Sequence, residues 1–200
     1  MTTRRDLLAY SLDCNRGYVE TSPQATFLAP LISTIIPEVR FIYLVRDPRE
    51  VVRSGMRRRW FNGNPADGTR ISPLMDSPIR REWETYTAFQ KNLWLWAESN
   101  RWILRFLSSF PQERQLFLRS EDVFSADKDV LASLFTFIHA SLPPITKVNR
   151  LLDQKLNAQQ SGEFPDVSAW TREMYKDLIK IAGEVAGVLG YDLHSGSQTG

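Results

Sequence analysis

The stretch Arg40-Phe-Ile-Tyr-Leu-Val-Arg-Asp-Pro-Arg-Glu-Val-Val-Arg-Ser54 constrains the fold more than any other part of the chain. Residues 40–45 are apolar, aromatic and β-branched after the first arginine, and charge bounds them on both sides. That is the pattern of a short strand buried on both faces, as in a parallel sheet. A helix start comes directly after it. Asp47 can cap, Pro48 suits the first helical position, and Glu50 has capping-box spacing, which predicts a helix over 47–58. A buried strand feeding straight into a helix points to an α/β layer fold.

The rest of the chain alternates in the same way. Gln115-Leu-Phe-Leu118 reads as a second strand and Gly17-Tyr-Val-Glu20 as the end of a third. Residues 23–36 fit a helix that Pro30 kinks or splits. From Tyr86 on, Phe89, Leu93, Trp96, Asn100, Ile103, Leu107 and Phe110 recur at spacings of three and four. This is a long amphipathic helix, with Trp83, Trp94 and Trp102 assigned to it as core residues and Asn100 as a satisfied buried amide. Further helices are predicted over 130–139 and along the face marked by Trp170, Met174, Leu178, Ile181, Val185 and Leu189, with Gly190 as the stop. Residues 61–82 and 141–169 are rich in proline and glycine and read as long loops, of the kind that are functional or mobile.

Composition excludes several classes. The 25 basic and 23 acidic residues leave a formal charge of +2, too balanced to argue for nucleic acid. The one cysteine, Cys14, excludes an internal disulfide and a multi-cysteine metal site, and no His/Cys/carboxylate cluster has metal-ligand spacing. No run approaches the roughly 18 apolar residues of a membrane span, and no leader is visible, so a cytoplasmic location is expected. The order of elements reads as one domain over residues 1–200 with a flexible tail at 193–200.

The chemistry concentrates at the strand-to-helix junction. In open α/β sheets, ligands bind at the carboxyl ends of the strands, which is where Arg46 falls. Its planar fork suits bidentate phosphate recognition. Ser54, about two turns into the helix, can add a hydroxyl to the same anion. The bland alternative is a junction held by a structural ion pair. Arg53, Arg57, Arg58 and Arg59 form a basic cluster that can attract an anionic ligand or simply suit the end of a helix dipole.

Several ordered motifs resemble the sulfotransferases that use 3′-phosphoadenosine-5′-phosphosulfate (PAPS). Tyr18-Val-Glu-Thr-Ser-Pro23 is similar to that family's aromatic-x-Glu-Lys-Ser/Thr-Pro strand end. Residues 37–54 resemble its 3′-phosphate-binding motif, with Arg46 and Ser54 eight apart. Leu118-Arg-Ser-Glu-Asp-Val123 resembles the later strand that ends near the adenine, and residues 156–165 the loop that closes over the nucleotide. Ala186-Gly-Val-Leu-Gly-Tyr191 matches the family's ending.

The resemblance implies a P-loop-NTPase-like parallel sheet flanked by helices and a PAPS co-substrate without a metal. It implies transfer of a sulfuryl group to an acceptor hydroxyl or amine. It assigns Glu20 as the base, and Arg46, Ser54, Ser120 and Lys155 as nucleotide contacts. For Glu20 a structural pairing with an arginine such as Arg46 is the competing role. Neither histidine, His139 nor His194, lies near the donor motifs. Two departures stand out. The family's first strand and Lys/Arg-Gly-Thr/Ser loop, which grip the 5′-phosphosulfate, have no counterpart before Tyr18, so the domain is expected to lack its amino end. Thr21 also stands where the motif has lysine. The alternative reading is therefore a catalytically incomplete relative that binds nucleotide or a protein partner. The acceptor and the oligomeric state are not encoded in these motifs.

Overall fold

The computed structural model describes residues 6, 10, 11, 14, 17–154 and 162–193. In chain order these form a 3₁₀ turn (Pro23–Leu28) running into α1 (Ala29–Ile35), β1 (Phe41–Val45), α2 (Pro48–Arg57), a short α3 (Arg80–Trp83) and the long α4 (Ala88–Ser108). Beyond α4 come β2 (Gln115–Arg119), α5 (Ser120–Phe124), α6 (Lys128–Phe137), α7 (Ile145–Leu152) and α8 (Arg172–Val188). The strand and helix of the Arg40–Ser54 stretch form where the sequence predicts them, but β1 is not buried on both faces: Tyr43 and Val45 are buried while Leu44 between them is exposed. Pro30 does split the first helical stretch, leaving its start as a 3₁₀ turn.

Three further expectations are corrected. Residues 17–20 are not a strand. Trp83 ends α3 and is not part of α4, because the 84–87 segment breaks the helix. Residues 141–169 are not all loop: α7 begins right after Pro144, which sets the extended N-cap conformation and cannot itself continue a preceding helix.

The chain forms two compact units, each built from two separate stretches. The first comprises residues 1–44 and 109–154. Here β1 and β2 lie side by side in a two-stranded parallel sheet. Tyr43 meets Phe117 edge-on at 5.4 Å, and Phe41 meets Phe110 at 5.0 Å. Burial pushes the Tyr43 phenol well above its ordinary value, so it stays neutral in the core. Arg40 donates to the Phe137 carbonyl at 2.8 Å and covers the same residue's ring. Leu118 and Leu131 are buried where β2 meets α6. By contrast, Leu28, Leu31 and Ile35 around α1 are exposed.

The second unit comprises residues 45–108 and 155–200. Its core is the packing of α4 against α2 on one side and α8 on the other. Val52, Leu93 and Leu178 are fully buried, and Ala182 and Ala186 on α8 are small enough to admit α4 closely. Of the expected stripe, Trp170, Leu178, Val185 and Leu189 are buried and Met174 and Ile181 half-buried, while Tyr175, Ala182 and Ala186 widen the buried face. Asn100 donates to the Trp96 carbonyl at 2.7 Å, as expected of a satisfied amide. Leu193 is buried, while residues 194–200 lie outside those described.

After α2 the chain reverses through Arg59 and Phe61, both with positive φ (57° and 59°). That backbone is costly for a bulky residue and needs fixing from outside. Asp67 does this. Its carboxylate accepts from the Phe61 N–H at 2.9 Å and the Asn64 N–H at 3.0 Å, and pairs with Arg70 at 3.1 Å. Asn64 in turn donates to the Arg58 carbonyl at 2.7 Å, tying this loop to the end of α2. Burial alone would raise the Asp67 carboxyl, but the N–H donors and Arg70 outweigh it and hold it below the usual range. A depressed native value stabilises the fold above the unfolded value, near pH 4, and this contribution disappears as pH falls through the native one. Asp67→Ala is expected to cost about 2 kcal/mol at neutral pH, from several lost hydrogen bonds. Asp67→Asn should flatten the acid limb of stability against pH, as measured by urea unfolding. An unchanged acid limb would refute the linkage.

Candidate functional site

The junction is fixed before any ligand is considered. Asp47 caps α2 by accepting from the Arg49 N–H at 2.8 Å, and Pro48 fills the first turn. The same carboxylate grips the Arg49 guanidinium along one edge, from Nε at 3.0 Å and Nη2 at 2.7 Å. That bond, outweighing the opposing effect of burial, holds Arg49 more firmly protonated than usual. On the strand side, the Trp96 indole N–H donates to the Arg46 carbonyl at 3.0 Å. The Arg46 backbone is thus pinned to α4, while its side chain stays free to meet solvent.

One row of residues, spaced by four, then runs along the helix. Arg46 Nη2 lies 3.2 Å from Glu50, and the Arg58 guanidinium donates to the Ser54 hydroxyl. Glu50 therefore turns to Arg46 and does not close the expected capping box. Arg46 and Glu50 are about half exposed (49% and 42%), so this ion pair is worth only about 0–1 kcal/mol and is cheap to exchange. Two guanidiniums and a hydroxyl on one face form a set of donors matched to an oxyanion. The sequence singled out Arg46 and Ser54, and it placed Arg58 only in a basic cluster; the four-residue spacing from Ser54 is the signal that links it.

The remaining candidates have other places. Glu20 is exposed, in a segment without regular structure, and accepts from the Tyr18 phenol at 2.5 Å. Ser120 is the first residue of α5, directly after β2, and is 5% exposed. Both belong to the first unit, whereas Arg46 and Ser54 belong to the second. Lys155 lies outside the described residues, as does His194. His139 follows α6 at a positive φ of 53° and is exposed. Among the described residues no cluster of His, Cys, Asp or Glu is placed to hold a metal ion, and no helix is long and apolar enough to cross a membrane.

Arg46, Ser54 and Arg58 thus set a row of donors directly after β1. The model of the sulfotransferase family matches residues 3–144, and the chain belongs to that family. Among solved structures, the chain is similar to a sulfotransferase domain from the curacin biosynthetic pathway, with a TM-score of 0.58 and 21% identity over 93% of this chain and 68% of that one. At that identity the likeness is one of fold. A search of the curated proteins gives no match.

Proposed function

We propose that the protein moves a sulfuryl group from PAPS to an acceptor hydroxyl or amine on a P-loop-like α/β scaffold. The observation that carries this reading is the Arg46–Ser54 face. A guanidinium at a strand's carboxyl end, released from a weak ion pair, stands in one row with a hydroxyl and the second guanidinium of Arg58. These residues fit a phosphate, and Arg46 and Ser54 would hold the 3′-phosphate of the nucleotide. Ser120 and Lys155 would complete the nucleotide contacts.

The donor supplies an activated sulfuryl group, whose bond to the 5′-phosphate oxygen breaks as the acceptor atom bonds to sulfur. The protein's part is to position, to stabilise spreading negative charge and to take the acceptor's proton. Glu20 would accept that proton on its carboxylate, with the Tyr18 phenol fixing the carboxylate's orientation. A second reading, nucleotide binding without transfer, is favoured by Thr21, which puts a neutral side chain where the motif has a lysine.

Calorimetric titration with 3′-phosphoadenosine-5′-phosphate tests the site. Micromolar binding is expected, with Arg46→Ala weakening it about 10- to 100-fold, the loss expected for a charge-assisted hydrogen-bonded pair. Equal binding by the two proteins, or none by the folded native chain, would overturn the assignment. Sulfuryl transfer that survives Glu20→Gln undiminished would remove Glu20 as base.

A further inference from the structure

A second row of arginines lies beside the first on α2. Arg53 and Arg57 face residues 162–166 across a cleft of about 510 Å³, all within one compact unit. The cleft wall is held close by an unusual backbone approach. Arg57 Nε donates to the Gly162 carbonyl at 3.3 Å, and a Cβ at Gly162 would sit 2.5 Å from the Arg57 carbonyl oxygen. Gly162 also has φ +80°, so only glycine fits there. The two Nη groups of Arg57 have no partner among the described residues.

Arg53 is the informative residue. Its Nη2 pairs with Asp166, yet its Nε is buried and has no acceptor among the described residues. Arg49 shows what a completed pair looks like in the same molecule, since Asp47 takes both Nε and Nη2 along one edge. Asp166 takes half of that edge and leaves the other half empty. Nor is Asp166 needed locally. It stands before a 3₁₀ turn without capping it by its side chain, and its side chain is 75% exposed. Glu163, also on the lining, is exposed at the rim.

We propose that this cleft is an oxyanion subsite, distinct from the Arg46–Ser54 row, and that Asp166 is its built-in competitor. The ligand is a sulfate or phosphate group, free or as a monoester. It binds Arg53 through Nε and Nη2 together and gains Arg57, while Asp166 swings into solvent. Replacing a one-point carboxylate by a two-point oxyanion satisfies a donor that the free protein leaves empty. The inference stands on the cleft alone and does not need the donor assignment above.

The test is a titration of the full chain with inorganic sulfate at low ionic strength, following backbone amide shifts. The shifts are expected at Gly162–Asp166 and Arg57. Asp166→Asn should bind about threefold tighter, as expected for removing an exposed ion-pair competitor. Arg53→Gln should bind at least about tenfold weaker, and Arg53→Lys, which keeps the charge but not the fork, nearly as weakly. Circular dichroism confirms that each variant is folded. Arg46→Ala should leave sulfate binding at these amides unchanged, which separates the two sites. A parallel titration with 3′-phosphoadenosine-5′-phosphate identifies the source of the group. Weakening by Arg53→Gln assigns it to the nucleotide, and no effect there, with sulfate binding lost, assigns it to another ligand. The proposal is overturned if the cleft amides do not respond to sulfate, or if neither Asp166→Asn nor Arg53→Gln changes the affinity.

Discussion

Trp96→Ala is expected to lower the free energy of unfolding by about 3–5 kcal/mol, the range for truncating a large buried aromatic side chain. Trp96 is 5% exposed, meets the ring of Tyr191 and donates to the Arg46 carbonyl. Truncation therefore opens a cavity in α4 and leaves the junction's backbone untied. Trp96→Phe separates the two effects. It keeps most of the volume, removes the hydrogen bond, and should cost about 1 kcal/mol. Its more telling consequence is for affinity. A nucleotide contact made by the Arg46 side chain should weaken in Trp96→Phe, although no contacting group has been removed. Chemical unfolding and the nucleotide titration read the two effects. Native affinity in a destabilised Trp96→Phe variant would show that the pin does not position Arg46.

Gly55→Ala runs against a general rule. In a helix interior this change normally stabilises by about 0.5–1 kcal/mol. Here a Cβ would stand 2.1 Å from Asn92 Oδ1 and 2.7 Å from the Trp60 ring. Asn92 cannot yield easily, because its Nδ2 donates to the carbonyls of Ala88 (2.8 Å) and Trp60 (3.2 Å). Its Oδ1 is buried without an acceptor's usual partner among the described residues, held there by the close approach of α2. Overpacking should win, for a net loss of about 2 kcal/mol. Pairing the change with Asn92→Ala should recover part of it, the coupling expected of residues in contact. A Gly55→Ala protein as stable as the native one would mean that α2 and α4 do not approach so closely.

Legibility in the sequence followed the range of the interactions. The Arg40–Ser54 stretch was readable because its signals are local: an apolar run, a cap and a proline at fixed offsets. The long α4 was readable because its period is strong. What escaped depends on partners distant in sequence. Asn92 looks like any polar residue until Gly55 is placed against it. Ala182 and Ala186 carry little hydrophobic signal, yet they are fully buried because their small size is what the helix contact needs. The strand expected at 17–20 failed for a related reason, since a four-residue β-rich pattern forms a strand only beside a neighbour to pair with. Of the candidate site, Arg46 and Ser54 came from local pattern and resemblance. The pairing of Arg53 with Asp166 joins residues more than a hundred positions apart, and no spacing rule reaches that far.

The dependence of α2 on α8 also sets a timetable for the growing polypeptide. The junction helix leaves the ribosome well before one of the helices packed against it, Arg172–Val188. At ordinary translation speeds the interval is on the order of ten seconds. Throughout it, the faces of α2 and α4 that pack against α8 are open. This unit is thus incompletely packed until Arg172–Val188 has left the ribosome. In that window its exposed apolar surface is a natural client for a chaperone.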